Sequence, residues 1–305
     1  MFEAIANLCG RTPAPTVTGA PVGRRGILTV HQYRLLTFTF WALGISAAAY
    51  FWYYLTIQLG GSTPVDATFY WHANSSNLYP NAALGQGNGY VYTPAFEFLA
   101  APWRVLPFLT FVAIYRALLL AILIWLAGPL TLPVLLTFPV ASEITCGNIQ
   151  LVLAAAIVLG RRWPAAWSIV LLSKVTPGIA LLYYVLRREW RYVAIAGAAT
   201  AAVLLVSLIL FWGQWPDYIR LMSKPAPADG PLYLSFWQRA PFALAIIVVG
   251  AWRGWWWTVV VAAFVALPGW YYISPSLLVG ALPYVREHAG RVLLARQAPA
   301  EAAAG

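Results

Sequence analysis

The sequence predicts an all-α fold, a multi-pass bundle of transmembrane helices. Of its 305 residues, 61% are apolar and only 9% are charged, whereas a soluble domain carries about 45–50% apolar and about 25% charged residues. The 19 Lys and Arg residues form no dense run and fall mostly between apolar segments, which is typical of topology signals in membrane proteins. The net charge of +10 therefore does not indicate nucleic-acid binding, and we predict an integral membrane protein.

The alternation of apolar and polar stretches predicts about ten membrane segments within residues 35–285. The first, Leu35–Ile57, carries no charge and is long enough to cross the hydrocarbon core. Because arginines precede it and follow the last segment, both tails are expected in the cytoplasm, with no cleavable signal peptide. The predicted parts outside the membrane are the tails 1–34 and 286–305, a helical outer loop at 58–90 and a second outer loop at 213–240.

Two later segments contain polar interruptions. The run Ser142–Asn148 interrupts the apolar tract 132–160, and Ser173–Pro177 interrupts 163–186. Non-helical polar backbone at membrane depth is tolerated only where it faces protein or a water-filled cavity. Because arginines flank both ends of 163–186, we expect a broken hairpin there. The stretch 91–107 is expected to return the chain to the membrane.

Asp66 is the first candidate catalytic residue. It lies eight residues beyond Gln58, the end of the first span, where an enzyme working at the membrane surface would hold a base. If this stretch is helical, Tyr70 lies one turn further along the same face. The alternative is that Asp66 caps the N-terminus of an interfacial helix.

Ionisable groups at membrane depth are costly and indicate functional sites. Glu97 is either a second carboxylate of the site or the structural partner of Arg104 or Arg116. Glu143 lies at a predicted helix break, where it either lines a sugar pocket or satisfies freed backbone groups. The predicted substrate-binding residues are Tyr70, His72, Tyr92, Glu143, Asn148 and Gln150, although His72 also suits a hydrogen-bonded structural role and the aromatic residues also suit a membrane-interface belt.

Lys174 is the most informative cation. It is isolated in an apolar run with no acid nearby in sequence, and such a point charge suits the phosphate of a lipid that stays in the bilayer. The alternative is that its ammonium group reaches to the membrane interface. Arg239, which follows the second outer loop, is a weaker phosphate-binding candidate for the same reason.

Missing motifs argue against several kinds of site and classes of protein. Cys9 and Cys146 have neither the spacing of a zinc site nor that of a disulfide framework. The sequence contains no Walker A loop, no GxGxxG motif after a strand and no HExxH helix. An ATP-driven pump and a soluble nucleotide-sugar enzyme are therefore disfavoured.

A series of short motifs along the chain carries a family resemblance. In order they are DATFYWHA at Asp66, the helix start Val91-Tyr92-Thr93-Pro94, WRVLP at Trp103–Pro107, the turn Gly147-Asn148, KxxP from Lys174 to Pro177, and Ser274-Pro275-Ser276. With them the sequence resembles the polyprenol-phosphate-mannose-dependent mannosyltransferases of glycosyltransferase family 87, which have the multi-pass GT-C fold. Where that family usually has two consecutive prolines after Tyr, this sequence has Thr93-Pro94.

The resemblance implies transfer of a sugar, expected to be mannose, from a polyprenyl-phosphate donor to a lipid or glycan acceptor at the outer face of the cell membrane. It implies that Asp66 is the base. A base that deprotonates the acceptor agrees with this chemistry, and Lys174 with Arg239 would stabilise the departing phosphate. One base without a second carboxylate as nucleophile predicts inversion at the anomeric carbon. No cofactor is predicted, and the need for a divalent metal is left open.

The main alternative is a transporter or flippase of lipid-linked sugars that binds a similar substrate without reacting. Transporters commonly contain inverted repeats with paired broken helices. The two interrupted segments of this sequence show no repeat symmetry, which favours the enzyme. A non-catalytic scaffold is disfavoured by the isolated Asp66 and Lys174.

Overall fold

The computed structural model describes most of the chain after residue 64: residues 65–80, 89–223, 234–271 and 273–287, together with the single residues Phe38 and Ala42. Apart from these two residues, the predicted tail 1–34 and first span Leu35–Ile57 lie outside the described residues. The same holds for 58–64, 81–88, 224–233 and the C-terminal tail from residue 288. All helices reported below belong to the unit formed by residues 43–305.

The described residues form an all-helical fold, as the sequence predicts. They contain no β-strand, only an isolated bridge between Asn74 and Asn77. The α-helices are α1 (Val65–His72), α2 (Glu97–Ala100), α3 (Phe108–Ala127), α4 (Thr131–Leu135), α5 (Phe138–Cys146), α6 (Gln150–Gly160), α7 (Trp167–Ser173), α8 (Leu182–Leu186), α9 (Trp190–Leu210), α10 (Gln214–Ser223), α11 (Phe236–Arg253) and α12 (Trp257–Val265). Short 3₁₀ helices lie at Pro94–Phe96, Ala101–Val105, Gly128–Leu130, Pro164–Ala166, Thr176–Leu181 and Ser274–Ala281.

Two helical segments of the described chain are long and apolar enough to cross a membrane, Phe108–Leu135 and Trp190–Leu210. The number rises to three if α5 and α6, which are bent by 103° at a short break, are counted as one span. A full crossing needs about 20 residues, so the predicted ten membrane segments are not confirmed. The stretch 91–107 forms short α and 3₁₀ helices instead of one long helix, because Pro94 and Pro102 restart the backbone at the first turn of a 3₁₀ helix.

The predicted broken hairpin agrees with the path of the chain through α7 and α8. Lys174 ends α7 in an extended conformation, with φ −139° and ψ 107°. Trp167 at the start of α7 donates its indole N–H to the Tyr192 hydroxyl at 2.7 Å. Tyr184 in α8 stacks on the same Tyr192 ring, with centroids 3.7 Å apart. Both ends of the segment therefore meet at Tyr192, and the chain folds back near Lys174.

The two predicted outer loops contact each other through α10, a helix that lies where the sequence predicts a loop. Gln214 in α10 accepts a hydrogen bond from the Leu78 N–H at 2.9 Å and donates one to the Ser76 carbonyl at 2.7 Å. The rings of Tyr79 and Tyr218 add a contact with centroids 6.0 Å apart. The segment after α1 and the helix α10 therefore pack against each other.

The interior is built where α6, α12 and the 3₁₀ helix Ser274–Ala281 pack together. Leu151, Val259 and Leu277 from these three elements are completely buried. In contrast, α9 leaves most of its apolar side chains exposed. An apolar helix that stays outside the core is typical of a surface facing lipid.

Candidate active site

Asp66 lies in the first turn of α1 and is half-buried. Its Oδ2 accepts a hydrogen bond from Asn148 Nδ2 at 2.9 Å, and its Oδ1 makes no hydrogen bond with the described residues. The helix places Tyr70 one turn further on, as predicted. Burial raises the pKa of Asp66 above its usual value, while the hydrogen bond from Asn148 and the charge of Lys174 act in the opposite direction.

The turn Gly147-Asn148 brings α5 to α1. Gly147 ends α5 with φ 68° and ψ 42°, the left-handed conformation that favours glycine. The Asn148 amide is oriented because its Oδ1 accepts the Ile149 N–H at 2.7 Å, so its Nδ2 is the group that donates to Asp66. The Asn148 carbonyl in turn accepts the Tyr115 hydroxyl at 3.0 Å.

We expect Gly147→Ala to lower the free energy of unfolding by about 2 kcal/mol or more, because Ala disfavours the left-handed conformation and overfills the contact. A Cβ atom at position 147 would lie 2.8 Å from the Ala67 Cβ. Unfolding in mixed micelles measures the effect. Gly197→Ala is the matched control, since nothing lies within 4 Å of a Cβ there, and it should be neutral or stabilising. Equal losses in both variants would contradict the close approach of α1 and α5.

Glu143 lies one turn before the break and is 0% exposed. Its Oε1 accepts the Leu151 N–H at 3.0 Å, which joins the end of α5 to the start of α6. Its Oε2 is buried without a hydrogen bond to the described residues. The Ser276 hydroxyl lies beside Glu143 but donates to the Ile273 carbonyl at 2.6 Å. Glu143 therefore satisfies a freed backbone group, as one interpretation expected, and keeps a second oxygen for another donor.

Lys174 faces the same region from the turn of the broken hairpin. Its Nζ lies 5.8 Å from the centre of the Tyr92 ring, and it makes no hydrogen bond or ion pair with the described residues. Its charge interacts with the carboxylates of Glu143 and Asp66. The structure thus brings together two carboxyl groups and one ammonium group, here called the Asp66–Glu143–Lys174 cluster, from three separate parts of the chain.

Tyr70 and Tyr92 form the aromatic wall of this cluster. Their hydroxyl groups are hydrogen-bonded at 2.9 Å, and Tyr92 stacks on Phe96 with centroids 4.5 Å apart. Both tyrosines are buried, so the interpretation of these two as membrane-interface residues is wrong. Their hydroxyl groups have each other as partners, which lets the rings pack inside the core.

Glu97 belongs to a separate ion pair, which confirms its predicted structural pairing with Arg104. The two Arg104 guanidinium N–H groups, on Nη1 and Nη2, donate to the two Glu97 oxygens at 2.7 Å each. The Ser75 hydroxyl also donates to Glu97, at 2.9 Å, and Arg104 Nε donates to the Tyr70 carbonyl at 3.0 Å. This pair fixes the segment after α1 against α2.

We expect Glu97→Gln to lower the free energy of unfolding by about 3 kcal/mol, because it leaves the Arg104 charge partly buried and unpaired. The Glu97 side chain is 0% exposed and that of Arg104 only 17%. Asp217→Asn is the control, since Asp217 pairs with Arg220 at an exposed site and should cost less than about 1 kcal/mol. If the two variants unfold alike in mixed micelles, the buried pair does not stabilise the fold.

Three predicted site residues lie apart from the cluster or make no bond within it. Arg239 is 1% exposed and donates to the carbonyls of Leu234, Val265 and Pro268 at 2.8, 2.6 and 3.3 Å. These contacts favour a structural role at the end of α12, and phosphate binding by Arg239 stays a prediction. His72 is exposed and contacts Trp71 and Phe108. Gln150 is buried at the start of α6, with Oε1 lacking a hydrogen bond to the described residues.

Two residues near the cluster were not predicted. The Thr176 Oγ1, two residues after Lys174, is buried without a hydrogen-bond partner among the described residues. Thr93 is buried and donates to the Leu172 carbonyl, which attaches the Tyr92 segment to α7. The polar runs SKVT and YTP contain the only sequence signal for these two threonines. No group of three His, Cys, Asp or Glu side chains in the described ranges is arranged to hold a metal ion.

Comparison with known proteins gives a family match for part of the chain. Residues 90–239 match Glycosyltransferase family 87, a range that includes Glu143 and Lys174 and begins after Asp66. The chain is 29% identical over 135 residues to the polyprenol-phosphate-mannose-dependent alpha-(1-2)-phosphatidylinositol mannoside mannosyltransferase of Mycobacterium tuberculosis, covering 42% of this chain and 32% of that protein. No solved structure matches the chain significantly. The predicted resemblance to glycosyltransferase family 87 is confirmed over residues 90–239, just under half of the chain.

Proposed function

We propose that this protein is a membrane glycosyltransferase that transfers mannose from a polyprenyl-phosphate donor to a lipid or glycan acceptor. The family match and the name of the mycobacterial relative support the donor and the sugar. The alignment covers about a third of that relative, so the acceptor has to be tested separately. The relative's name makes a phosphatidylinositol mannoside the first candidate acceptor. The observation that carries the proposal is the meeting of Asp66, Glu143 and Lys174 in one cluster.

Asp66 is the general base in this proposal. As a carboxylate it takes the proton of the acceptor hydroxyl, and the acceptor oxygen attacks the anomeric carbon of the donor as the bond to phosphate breaks. The support is geometric, because Asn148 occupies only one Asp66 oxygen and the side chain is partly exposed. A single displacement of this kind inverts the anomeric configuration.

Lys174 receives the charge that develops on the leaving polyprenyl phosphate. A cation that is already in place stabilises such an anion without reorganising at the moment of reaction. Its freedom from ion pairs with the described residues supports this role, since no carboxylate has to be displaced first. The interaction of its charge with Asp66 supports a shared site for base and leaving group.

Three buried oxygens among the predicted site residues and beside Lys174 in sequence suit the hydroxyl groups of the sugar. Glu143 Oε2, Gln150 Oε1 and Thr176 Oγ1 are all buried without hydrogen bonds to the described residues. Folded proteins leave few buried polar atoms unpaired, so these three need an explanation. In the proposal, hydroxyl groups of the donor sugar donate to Glu143 and Gln150, beside the aromatic rings of Tyr70 and Tyr92.

The reaction takes place at the outer face of the cell membrane, with both tails in the cytoplasm. The support is the positive charge between the apolar segments and the contact between the two predicted outer loops through Gln214. Membrane lipids surround the exposed apolar surface of α9. The lipid part of the donor stays in the bilayer while its phosphate reaches Lys174.

Incubation of the purified full chain in nanodiscs with labelled polyprenyl-phosphate mannose and a phosphatidylinositol mannoside tests the function. We expect labelled acceptor to form. NMR should show that the anomeric configuration of the new linkage is opposite to that of the donor. Donor that crosses the bilayer unreacted would instead support the flippase. The proposal would be ruled out if the protein neither transferred the sugar to any lipid or glycan acceptor nor bound the donor.

A further inference from the structure

A cavity lies at the start of α9, and none of the cluster residues Asp66, Glu143 and Lys174 lines it. Its volume is about 590 Å³, and Arg162, Arg188 and Arg191 all line it. The cavity also contains the Glu189 carboxylate, but this group accepts a hydrogen bond from Arg187 at 3.1 Å. The charge of the lining is therefore strongly positive. We call this cavity the arginine pocket.

The arginine pocket has a fixed wall. Tyr192, which lines it, donates its hydroxyl hydrogen to the Gly160 carbonyl and accepts the Trp167 indole N–H. Its ring is held against Tyr184. Three other elements of the fold, α6, α7 and α8, therefore hold this wall in place, which distinguishes the pocket from a set of solvated basic side chains.

The backbone at the pocket is unusual. Arg188 has φ 59°, the one positive φ among the described residues other than glycine. Such a conformation is unfavourable for a side chain with a Cβ and concentrates at functional sites. Arg188 and Arg191 are exposed and make no ion pair with the described residues, so both guanidinium groups keep their hydrogen-bond donors for a ligand.

We propose that the arginine pocket binds the phosphate group of an anionic membrane phospholipid. Guanidinium groups bind phosphate through two parallel hydrogen bonds, and basic pockets at the ends of membrane helices suit lipid headgroups. A lipid is favoured over free phosphate because the pocket includes Ile195 and opens at the exposed apolar α9. Trp163 and Trp190, 49% and 60% exposed, are of the type that lies at headgroup level. The acyl chains would then follow α9.

Native mass spectrometry of the delipidated full chain with phosphatidylglycerol or phosphatidylcholine tests this site. We expect phosphatidylglycerol to bind at least about tenfold more tightly, and Arg188→Gln or Arg191→Gln to reduce that affinity about tenfold, the value of one charge-assisted hydrogen bond. Arg253→Gln is the matched control. Arg253 is exposed and lies over the rings of Trp252 and Trp255, outside the pocket, so its loss should leave binding unchanged.

Three results would overturn the site. Equal binding of the two lipids, or equal losses in Arg188→Gln and Arg253→Gln, would show attraction by general positive charge without a pocket. Displacement of the bound lipid by inorganic phosphate at the same concentration would show that the ligand is free phosphate. Because no sugar donor is present, the experiment is independent of the proposed transfer reaction. Arg188 and Arg191 are both exposed, so their variants should fold, as circular dichroism can check.

Discussion

Replacing Asp66 with Asn is expected to lower kcat for sugar transfer by about 100- to 10,000-fold, the usual contribution of a general base. Asn has the same shape as Asp, and its carbonyl oxygen can still accept the hydrogen bond that Asn148 donates at 2.9 Å to Asp66. Only the ability to take a proton is lost. Initial rates with labelled donor at saturating concentration measure the effect, and KM for the donor should stay near its original value.

The control for this experiment is Asp217→Asn, which removes a carboxylate from the first turn of α10. Asp217 pairs with Arg220 at an exposed site, so its loss should change the rate less than twofold. A normal transfer rate in Asp66→Asn would remove Asp66 from the mechanism. If Asp66→Asn lowers the transfer rate, the donor affinity and the thermal stability together, Asp66 has a structural role in holding the turn at Asn148.

Two charged residues of the candidate site could be identified from the sequence because they are isolated. Asp66 and Lys174 each interrupt a stretch of neutral residues, and an ionisable group at membrane depth is costly, so it indicates a functional site. The Gly147-Asn148 break could be predicted in the same way, from a polar run inside an apolar tract. Each of these signals is local, since it depends on residues adjacent in the chain.

The contacts between the parts could not be predicted, because they depend on tertiary structure. An arginine that follows a loop has the same sequence environment whether it binds a substrate phosphate or helix carbonyls. The carbonyls that Arg239 reaches, at Val265 and Pro268, lie 26 and 29 residues further along. The predicted number of spans is not confirmed for a related reason: apolar composition does not distinguish a full crossing from short buried helices such as α7 and α12.

Replacing Lys174 with Met is expected to reduce kcat/KM by about 100- to 1000-fold, the usual cost of removing a group that stabilises a developing anion. Met has a similar length and an apolar end, so the packing beside Tyr92 is retained while the charge is lost. Labelled donor binding and initial rates measure the effect. The matched control is Lys224→Met at the only other lysine of the sequence, which should behave like the original protein.

The pH dependence of the Lys174→Met variant separates a role in charge from a role in packing. The charge of Lys174 lowers the pKa of Asp66 against the effect of burial, so its removal should raise the pKa of Asp66. Because Asp66 acts as the deprotonated base, transfer is lost as the pH falls through this pKa, and a higher pKa moves that loss to higher pH. Lys174→Arg keeps the charge and should keep the original profile with only a partial loss of rate. If Lys174→Met slows transfer at every pH without moving the acidic limb, Lys174 and Asp66 do not share a site.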